Sequence, residues 1–226
     1  MRVVCFDVGG VLAEIRPVFA DCARAVGLDP VPASLEGKKI GDLAFFDDYQ
    51  AGRYTDDEFL QVFGDFMGVS AETAFRVHQA ILVGPNPGTV ELVESLRERG
   101  VKTGCLSNTN ELHWRVFMEG VLLPHLPRLD FQVGSHRLKL DKPNAAIYRA
   151  FEEICGAKPE EIVFFEDGAK NVEGALACGW DAVLIDPVND PCGQMVDALR
   201  SRGIVYPTSS PLYGPGVRSG VVLSAV

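Results

Sequence analysis

No stretch of this 226-residue chain is apolar and unbroken enough to cross a bilayer, and its start runs straight into a strand-like segment without the pattern of a secretory leader. Both absences lead us to expect a cytoplasmic protein with no membrane partner. Positive charge is scarce. Lys and Arg total 21 against 31 Asp and Glu, the formal net charge is −10, and no basic cluster stands out, so a nucleic-acid footprint is not expected. Six cysteines (Cys5, Cys22, Cys105, Cys155, Cys178, Cys192) include no CxxC pair and sit mainly in apolar contexts. They read as free core thiols of a reducing compartment, not a disulfide framework or a zinc site. The four histidines, His78, His113, His125 and His136, show no ligand spacing, and surface roles are expected for His113 and His136. Internal repeats and low-complexity tracts are also lacking.

What is present is alternation. Val3-Val4-Cys5-Phe6 leads into Asp7, with Gly9 and Gly10 close behind. This predicts a buried strand that ends in a carboxylate, followed by a flexible turn. A strand buried on both faces belongs to a parallel sheet covered by helices. Residues 14–83 then read as helical: a short amphipathic segment at 17–26, a capping box at Thr55-Asp56-Asp57-Glu58 opening a helix through Phe66, and a second helix at 71–82 capped by Ser70. Phe45, Phe46, Tyr49, Tyr54, Phe59, Phe63, Phe66 and Phe75 are expected as the interior of this small bundle. Gly84-Pro85-Asn86-Pro87-Gly88 is a breaker and a predicted hinge. Beyond it, helical periods at 89–99, 111–118, 144–154, 169–178 and 194–200 alternate with apolar strands at 101–106, 130–133, 162–165 and 182–185, with a last short strand expected at Ile204-Val205. The predicted fold is therefore α/β, a Rossmann-like parallel sheet core with helices on both faces. Residues 1–13 and 86–206 would form that core, and residues 14–85 an inserted helical cap. Residues 207–226 carry Pro, Gly and Ser and then an apolar end. They have no functional reading, although a sticky end makes a homodimer worth testing.

Each polar cluster follows an apolar run. Asp7 follows the first, Ser107-Asn108-Thr109-Asn110 the second, Lys142-Pro143 lies in the loop after the third, and Glu166-Asp167-Gly168 follows the fourth. In a parallel sheet these ends arrive at one edge, where ligands of open α/β sheets bind. Each has a plain alternative. Ser107 and Thr109 could cap a helix, Lys142 could be a solvated lysine, and Glu166 and Asp167 could complement a helix N-terminus. Their joint occurrence at strand exits favours a site. Clustered carboxylates repel unless a cation joins them, and an oxygen donor set suits Mg²⁺ far better than zinc. A hard cation beside a carboxylate, an ammonium and hydroxyl or amide donors is a phosphoryl-transfer constellation.

Phe6-Asp7-Val8-Gly9-Gly10-Val11-Leu12, Leu106-Ser107-Asn108-Thr109-Asn110, Lys142-Pro143 and Phe165-Glu166-Asp167-Gly168-Ala169-Lys170-Asn171 resemble, in order and spacing, the four motifs of the haloacid dehalogenase superfamily. The likeness is to the subfamily with a small helical cap after the first strand, and within it to small sugar-phosphate phosphatases. The resemblance implies that Asp7 attacks phosphorus to form an aspartyl-phosphate. It implies Mg²⁺ held by Asp7, the Gly9 carbonyl and Asp167, with Glu166 a further candidate directly or through water. Ser107 and the Asn108 amide would grip the phosphoryl oxygens, Lys142 would neutralise charge on Asp7 and the transferring group, and Asn171 would orient the acidic loop or Lys142. The implied substrate is a small phosphorylated metabolite such as a sugar phosphate.

The chain departs from this pattern at one point. Most phosphatases of the superfamily carry a second Asp two residues after the nucleophile, as acid and base, and here that residue is Gly9. Such help is worth about 10²–10⁴ in rate. Slow turnover, a preference for good leaving groups, an acid supplied by the cap, and a weakened relative that binds a phosphorylated ligand or a partner stay open alternatives. Dehalogenation or mutase chemistry is a further one, and Gly9 with Glu166-Asp167 argues against the dehalogenase.

Overall fold

The computed structural model describes residues 2–204. In chain order its elements are β1 (Val3–Phe6), β2 (Ala13–Ile15), α1 (Phe19–Ala25), α2 (Ala44–Gln50), α3 (Asp56–Met67), α4 (Ala71–Gln79), β3 (Leu82–Pro85), α5 (Thr89–Glu98), β4 (Lys102–Ser107), α6 (Glu111–Glu119), β5 (Phe131–Gly134), α7 (Ser135–Leu138), α8 (Ala145–Cys155), β6 (Ile162–Glu166), α9 (Ala169–Ala177), β7 (Asp181–Leu184) and α10 (Pro191–Ser201). The expectations for residues 207–226, and for Val205 as strand, lie outside the described residues.

β1 forms the centre of a five-stranded sheet in the order β5-β4-β1-β6-β7. Every neighbouring pair is parallel. Phe6 pairs with Cys105 on one side and Phe165 on the other, so the strands end at one level. The chain leaves β1 in both directions across the sheet, which makes its carboxyl end the switch point where a crevice opens. Alternation along β1 fills both faces. Val4 and Phe6 pack on one side with Leu92, Val93 and Leu96 of α5 and Met195 and Leu199 of α10. Val3 and Cys5 pack on the other with Ile147, Tyr148 and Phe151 of α8. All six cysteines are buried and none forms a disulfide among the described residues, as burial of a small weakly polar side chain favours.

The segment between β2 and β3 carries its own core. Phe19, Phe46, Tyr49, Phe59 and Phe63 meet there, with Tyr49 and Phe59 stacked at 4.1 Å. The Thr55 capping box opens α3 as its sequence requires, Thr55 accepting from the Glu58 amide and Glu58 from the Thr55 amide. Phe75 departs from the expected interior and is 39% exposed. The buried positions of α4 are Ala74, Val77 and His78, which turns residue 75 outward.

Two boundaries also differ from expectation. The helix expected to run to Leu82 stops at Gln79, and Leu82–Pro85 becomes β3, antiparallel to β2 with Ile15 opposite Leu82. The predicted hinge is therefore half strand. Its other half is fastened down. The Asn86 side chain donates to the Val11 carbonyl (2.8 Å), the Asn86 amide to Leu12 (2.9 Å), and the Thr89 hydroxyl to Leu12 and Asn86. Buried amide and hydroxyl groups satisfied in this way fix the ribbon to the turn behind Asp7. Ile204 is buried but forms no strand.

Candidate active site

Asp7 extends β1 by one residue, and its amide donates to the Phe165 carbonyl at 2.8 Å. The chain then reverses, Ala13 and Val11 donating back to Val8. Gly10 adopts φ +76°, and a Cβ there would overlap the Asp167 carboxylate and press on Pro187. Only glycine lets this turn lie against the acidic loop. Gly9 differs. Its φ is not left-handed, and a Cβ would meet nothing nearer than Ile15 at 3.5 Å, an ordinary contact.

Lys142 converges on Asp7 from the loop between α7 and α8. Its ammonium donates to Asp7 Oδ1 (2.9 Å), Glu166 Oε2 (2.6 Å) and the Leu106 carbonyl (2.8 Å), so each of its three protons has an acceptor. The side chain is 1% exposed. Asn108 positions it. The amide of Lys142 donates to Asn108 Oδ1 (2.9 Å), and Asn108 Nδ2 donates to the Lys142 carbonyl (3.0 Å). The sequence reading assigned Asn108 a phosphate-gripping amide and did not anticipate this clamp by its side chain. Glu166 is held on both oxygens, Oε1 accepting from the Gly168 amide (2.9 Å) and from Asn171 Nδ2 (3.2 Å). Asn171 thus orients the acidic loop, and Glu166 covers the first turn of α9.

Ligand oxygens of Asp7, Glu166 and Asp167 lie within 4.8 Å of one another. Three carboxylates against one ammonium leave two negative charges in a buried corner. At that spacing each like-charged pair costs about 3–4 kcal/mol in a protein-like dielectric. Burial, then the neighbouring Glu166, pushes the Asp7 carboxyl up to about 6 despite Lys142. Burial, then Asp7 and Glu166, pushes Asp167 up to about 8. Burial opposes the charge of Lys142, but its two carboxylate partners outweigh burial and raise it above its ordinary range. An all-oxygen donor set with this surplus charge fits a hard divalent cation that keeps some of its waters.

Ser107 closes β4 and Asp7, Gly9, Ser107, Asn108, Asp167 and Asn171 line one cavity of about 390 Å³. Neither Ser107 nor Thr109 caps the following helix. Asn110 does, accepting from the His113 amide at 3.0 Å. Thr109 lines the cavity, but its hydroxyl is sealed away from it and lacks a hydrogen-bond partner.

His113 and His136 are not surface residues, which corrects the sequence expectation. His113 is buried and stacks on His78 with ring centres 3.9 Å apart. Its Nε2 lies 3.1 Å from the His78 carbonyl and its Nδ1 3.5 Å from Asn110 Nδ2. The consistent tautomer carries the proton on Nε2. Burial lowers its pKa to about 4. His136 packs on Trp114 and meets Glu111 at 3.0 Å. Periodicity along α6 would have shown residue 113 beside Leu112, Trp114 and Phe117 on its inner faces.

The segment between β2 and β3 closes the cavity's outer end. Gln50 Nε2 donates to the Asn108 carbonyl (3.3 Å), the Ser135 hydroxyl donates to the Gln50 carbonyl (2.6 Å), and the Leu112 amide donates to the Tyr49 hydroxyl (3.3 Å). Arg115 pairs with Asp56. The backbone of Gly52, at φ +70°, lies so close to the His136 carbonyl that a Cβ would overlap it.

A family model described as haloacid dehalogenase-like hydrolase matches residues 1–179. The chain is 30% identical over 126 residues to "Phosphatase MT3486" of Mycobacterium tuberculosis, covering 55% of this chain and 57% of that one. It is 24% identical over 210 residues to the "Phosphorylated carbohydrates phosphatase" of Thermotoga maritima, covering 84% and 88%. A HAD family enzyme of Bacteroides thetaiotaomicron, solved with magnesium and inorganic phosphate, superimposes with a TM-score of 0.69 at 23% identity, covering 84% of this chain and 96% of that one.

Proposed function

The chain belongs to the haloacid dehalogenase-like hydrolases, and from that premise we propose that it is a Mg²⁺-dependent phosphatase of a small phosphorylated metabolite. The observation that carries this reading is the Lys142 ammonium, bonded to Asp7 and Glu166 beside the Asp167 carboxylate, where Asp7 and Asp167 line one end of an open cavity. The names of the mycobacterial and Thermotoga relatives support the reaction, and the magnesium and phosphate in the Bacteroides enzyme support the cofactor.

Asp7, the Gly9 carbonyl and Asp167 would hold Mg²⁺, with Glu166 acting through water because both of its oxygens are already engaged. The ion supplies charge neutralisation that lets an anionic nucleophile approach an anionic phosphoryl group. Asp7 attacks phosphorus, the bond to the leaving oxygen breaks, and that oxygen departs with the electron pair. Water then cleaves the aspartyl-phosphate, releasing inorganic phosphate and restoring Asp7. Lys142 holds Asp7 ionised and faces the charge spreading over the phosphoryl oxygens. Ser107 and the Asn108 amide grip those oxygens. Residues 14–85 act as a cap that excludes bulk water.

Phosphate release from p-nitrophenyl phosphate with Mg²⁺ tests this. EDTA abolishes it, and Asp7→Asn lowers kcat on the order of 10⁴-fold or more, as expected for removal of a nucleophile. Turnover that survives Asp7→Asn sinks the reading. One observation favours a second reading, a weakened relative that binds phosphorylated ligands and turns them over slowly: residue 9 presents no acid to the cavity. Saturable phosphate binding without turnover across a broad metabolite panel would select it.

A further inference from the structure

The inner end of the cavity is acidic and polar, whereas its outer end is formed by Ile15, Ile40, Phe46, Ile81, Leu82 and Phe117. Among the described residues, no lysine or arginine lines it. Lys142 belongs to the inner end and has all three protons committed. A carboxylate or second phosphate on the substrate would therefore find no cation there, and like charge beyond it in Asp7 and Asp167. A polyol fares little better. Away from the carboxylates, Gln50 and His113 are the hydrogen-bonding side chains among the described lining residues, and the Thr109 hydroxyl is sealed off from the cavity. The Gln50 amide already reaches the Asn108 carbonyl. Each sugar hydroxyl left unpaired against the apolar wall lowers affinity by about tenfold.

With Asp7 as nucleophile and Asp167 held for the ion, no other carboxyl among the described residues lining the cavity can protonate the leaving oxygen. Gly9 faces the cavity without a side chain, and both ring nitrogens of His113 are turned to Asn110 and the His78 carbonyl. A leaving group must then depart as the bare anion, taking the electron pair of the P–O bond and collecting its proton from solvent afterwards. That favours an oxygen whose anion is stable.

Resting on the phosphatase reading, we infer that the substrate is a phosphomonoester of an aromatic or enolic hydroxyl with a compact, uncharged, largely apolar body, seated among Ile40, Phe46, Ile81 and Phe117. Sugar phosphates and phosphorylated carboxylic acids are poor substrates.

The test compares kcat/KM with Mg²⁺ for a series of ring-substituted phenyl phosphates, glucose 6-phosphate and phosphoglycolate. The aryl phosphates should exceed the other two by at least about 10²-fold, and within the series kcat/KM should fall steeply as the phenol becomes less acidic. Gly9→Asp, whose Cβ would meet only Ile15 at ordinary distance, should raise phenyl phosphate turnover more than p-nitrophenyl phosphate turnover and flatten that dependence. Ile40→Lys, which puts an ammonium on the wall, should raise phosphoglycolate relative to phenyl phosphate about tenfold or more. Glucose 6-phosphate or phosphoglycolate matching the aryl esters, or a flat dependence on phenol acidity in the wild-type protein, overturns this inference and leaves the phosphatase reading standing. No phosphate release from any ester overturns both.

Discussion

The two ends of the cavity solve the problem of burial in opposite ways. The inner end buries charge and satisfies it atom by atom: Lys142 serves three acceptors, Glu166 three donors, and Asn108 clamps the Lys142 backbone on both sides. The outer end buries aromatic and aliphatic surface, where area counts and direction hardly matters. Behind it, His78 is buried with no hydrogen-bond partner on either ring nitrogen, and burial, then His113, disfavours a charge on that ring. A directional network is specific but fragile, since removing one member strands the others. An apolar wall loses only the area removed.

The sharpest way to break this contrast is Lys142→Met. The change keeps volume and deletes one charge, leaving the Asp7 and Glu166 carboxylates buried without their cation. Stability should fall by about 3–5 kcal/mol, read as a drop in the urea midpoint at unchanged slope. Phosphatase activity should fall on the order of 10³-fold, because the proposed mechanism sets the same ammonium against the transferring group. A loss below about 1 kcal/mol would mean that the network is not what holds the inner end together.

Two neighbouring glycines sharpen the contrast within a single turn. Gly10→Ala meets a left-handed φ and the Asp167 carboxylate together. Strain of about 1–2 kcal/mol and overlap of about 1–3 kcal/mol should add. Gly9→Ala meets only Ile15 at ordinary distance, and its effect should stay within about 1 kcal/mol. Urea unfolding of the two variants in parallel checks the ordering, and equal losses would contradict the geometry of the turn.

How much of this was legible beforehand follows the same division. Asp7, Ser107, Lys142, Glu166 and Asp167 could be placed at one edge because a parallel sheet delivers every strand end to the same side, and short apolar runs identify those strands. The Asn108 clamp was not legible, since it depends on a loop 34 residues away that folds back onto β4. His113 and His136 were misplaced because a histidine carries no hydropathic signal strong enough to report burial. What buries them is stacking on His78 and on Trp114, partners from a different element in each case. The strand character of Leu82–Pro85 was hidden because Gly84 and Pro85 read as breakers, and only pairing with β2 makes four such residues extended. The apolar outer wall was unreadable for a similar reason. Its members come from β2, a loop, α2, the end of α4, β3 and α6, with no common period.

The mildest prediction uses protons to compare the two ends. Folding raises Asp7 to about 6 and Asp167 to about 8, both above the ordinary carboxylate value. Without a divalent ion, these groups keep protons in the folded chain that the unfolded chain has already lost. Their contribution to stability is therefore fully present below about pH 4 and lost as pH rises toward 8. A metal ion that displaces those protons binds more tightly over the same range, because each proton released costs less as pH rises. Saturating Mg²⁺ should raise Tm by a few degrees at pH 8, about 1–2 kcal/mol, and by clearly less at pH 5.5. Asp167→Asn should weaken the pH dependence of that gain by deleting the most strongly raised group, leaving the smaller part due to Asp7, whereas Ile40→Val at the outer wall should leave it in place. Scanning calorimetry with Mg²⁺ or EDTA at both pH values reads all three proteins. A gain that is larger at pH 5.5 than at pH 8 would mean that the ion does not compete with protons at these carboxylates, and the inner end would then owe its surplus charge to something other than a metal.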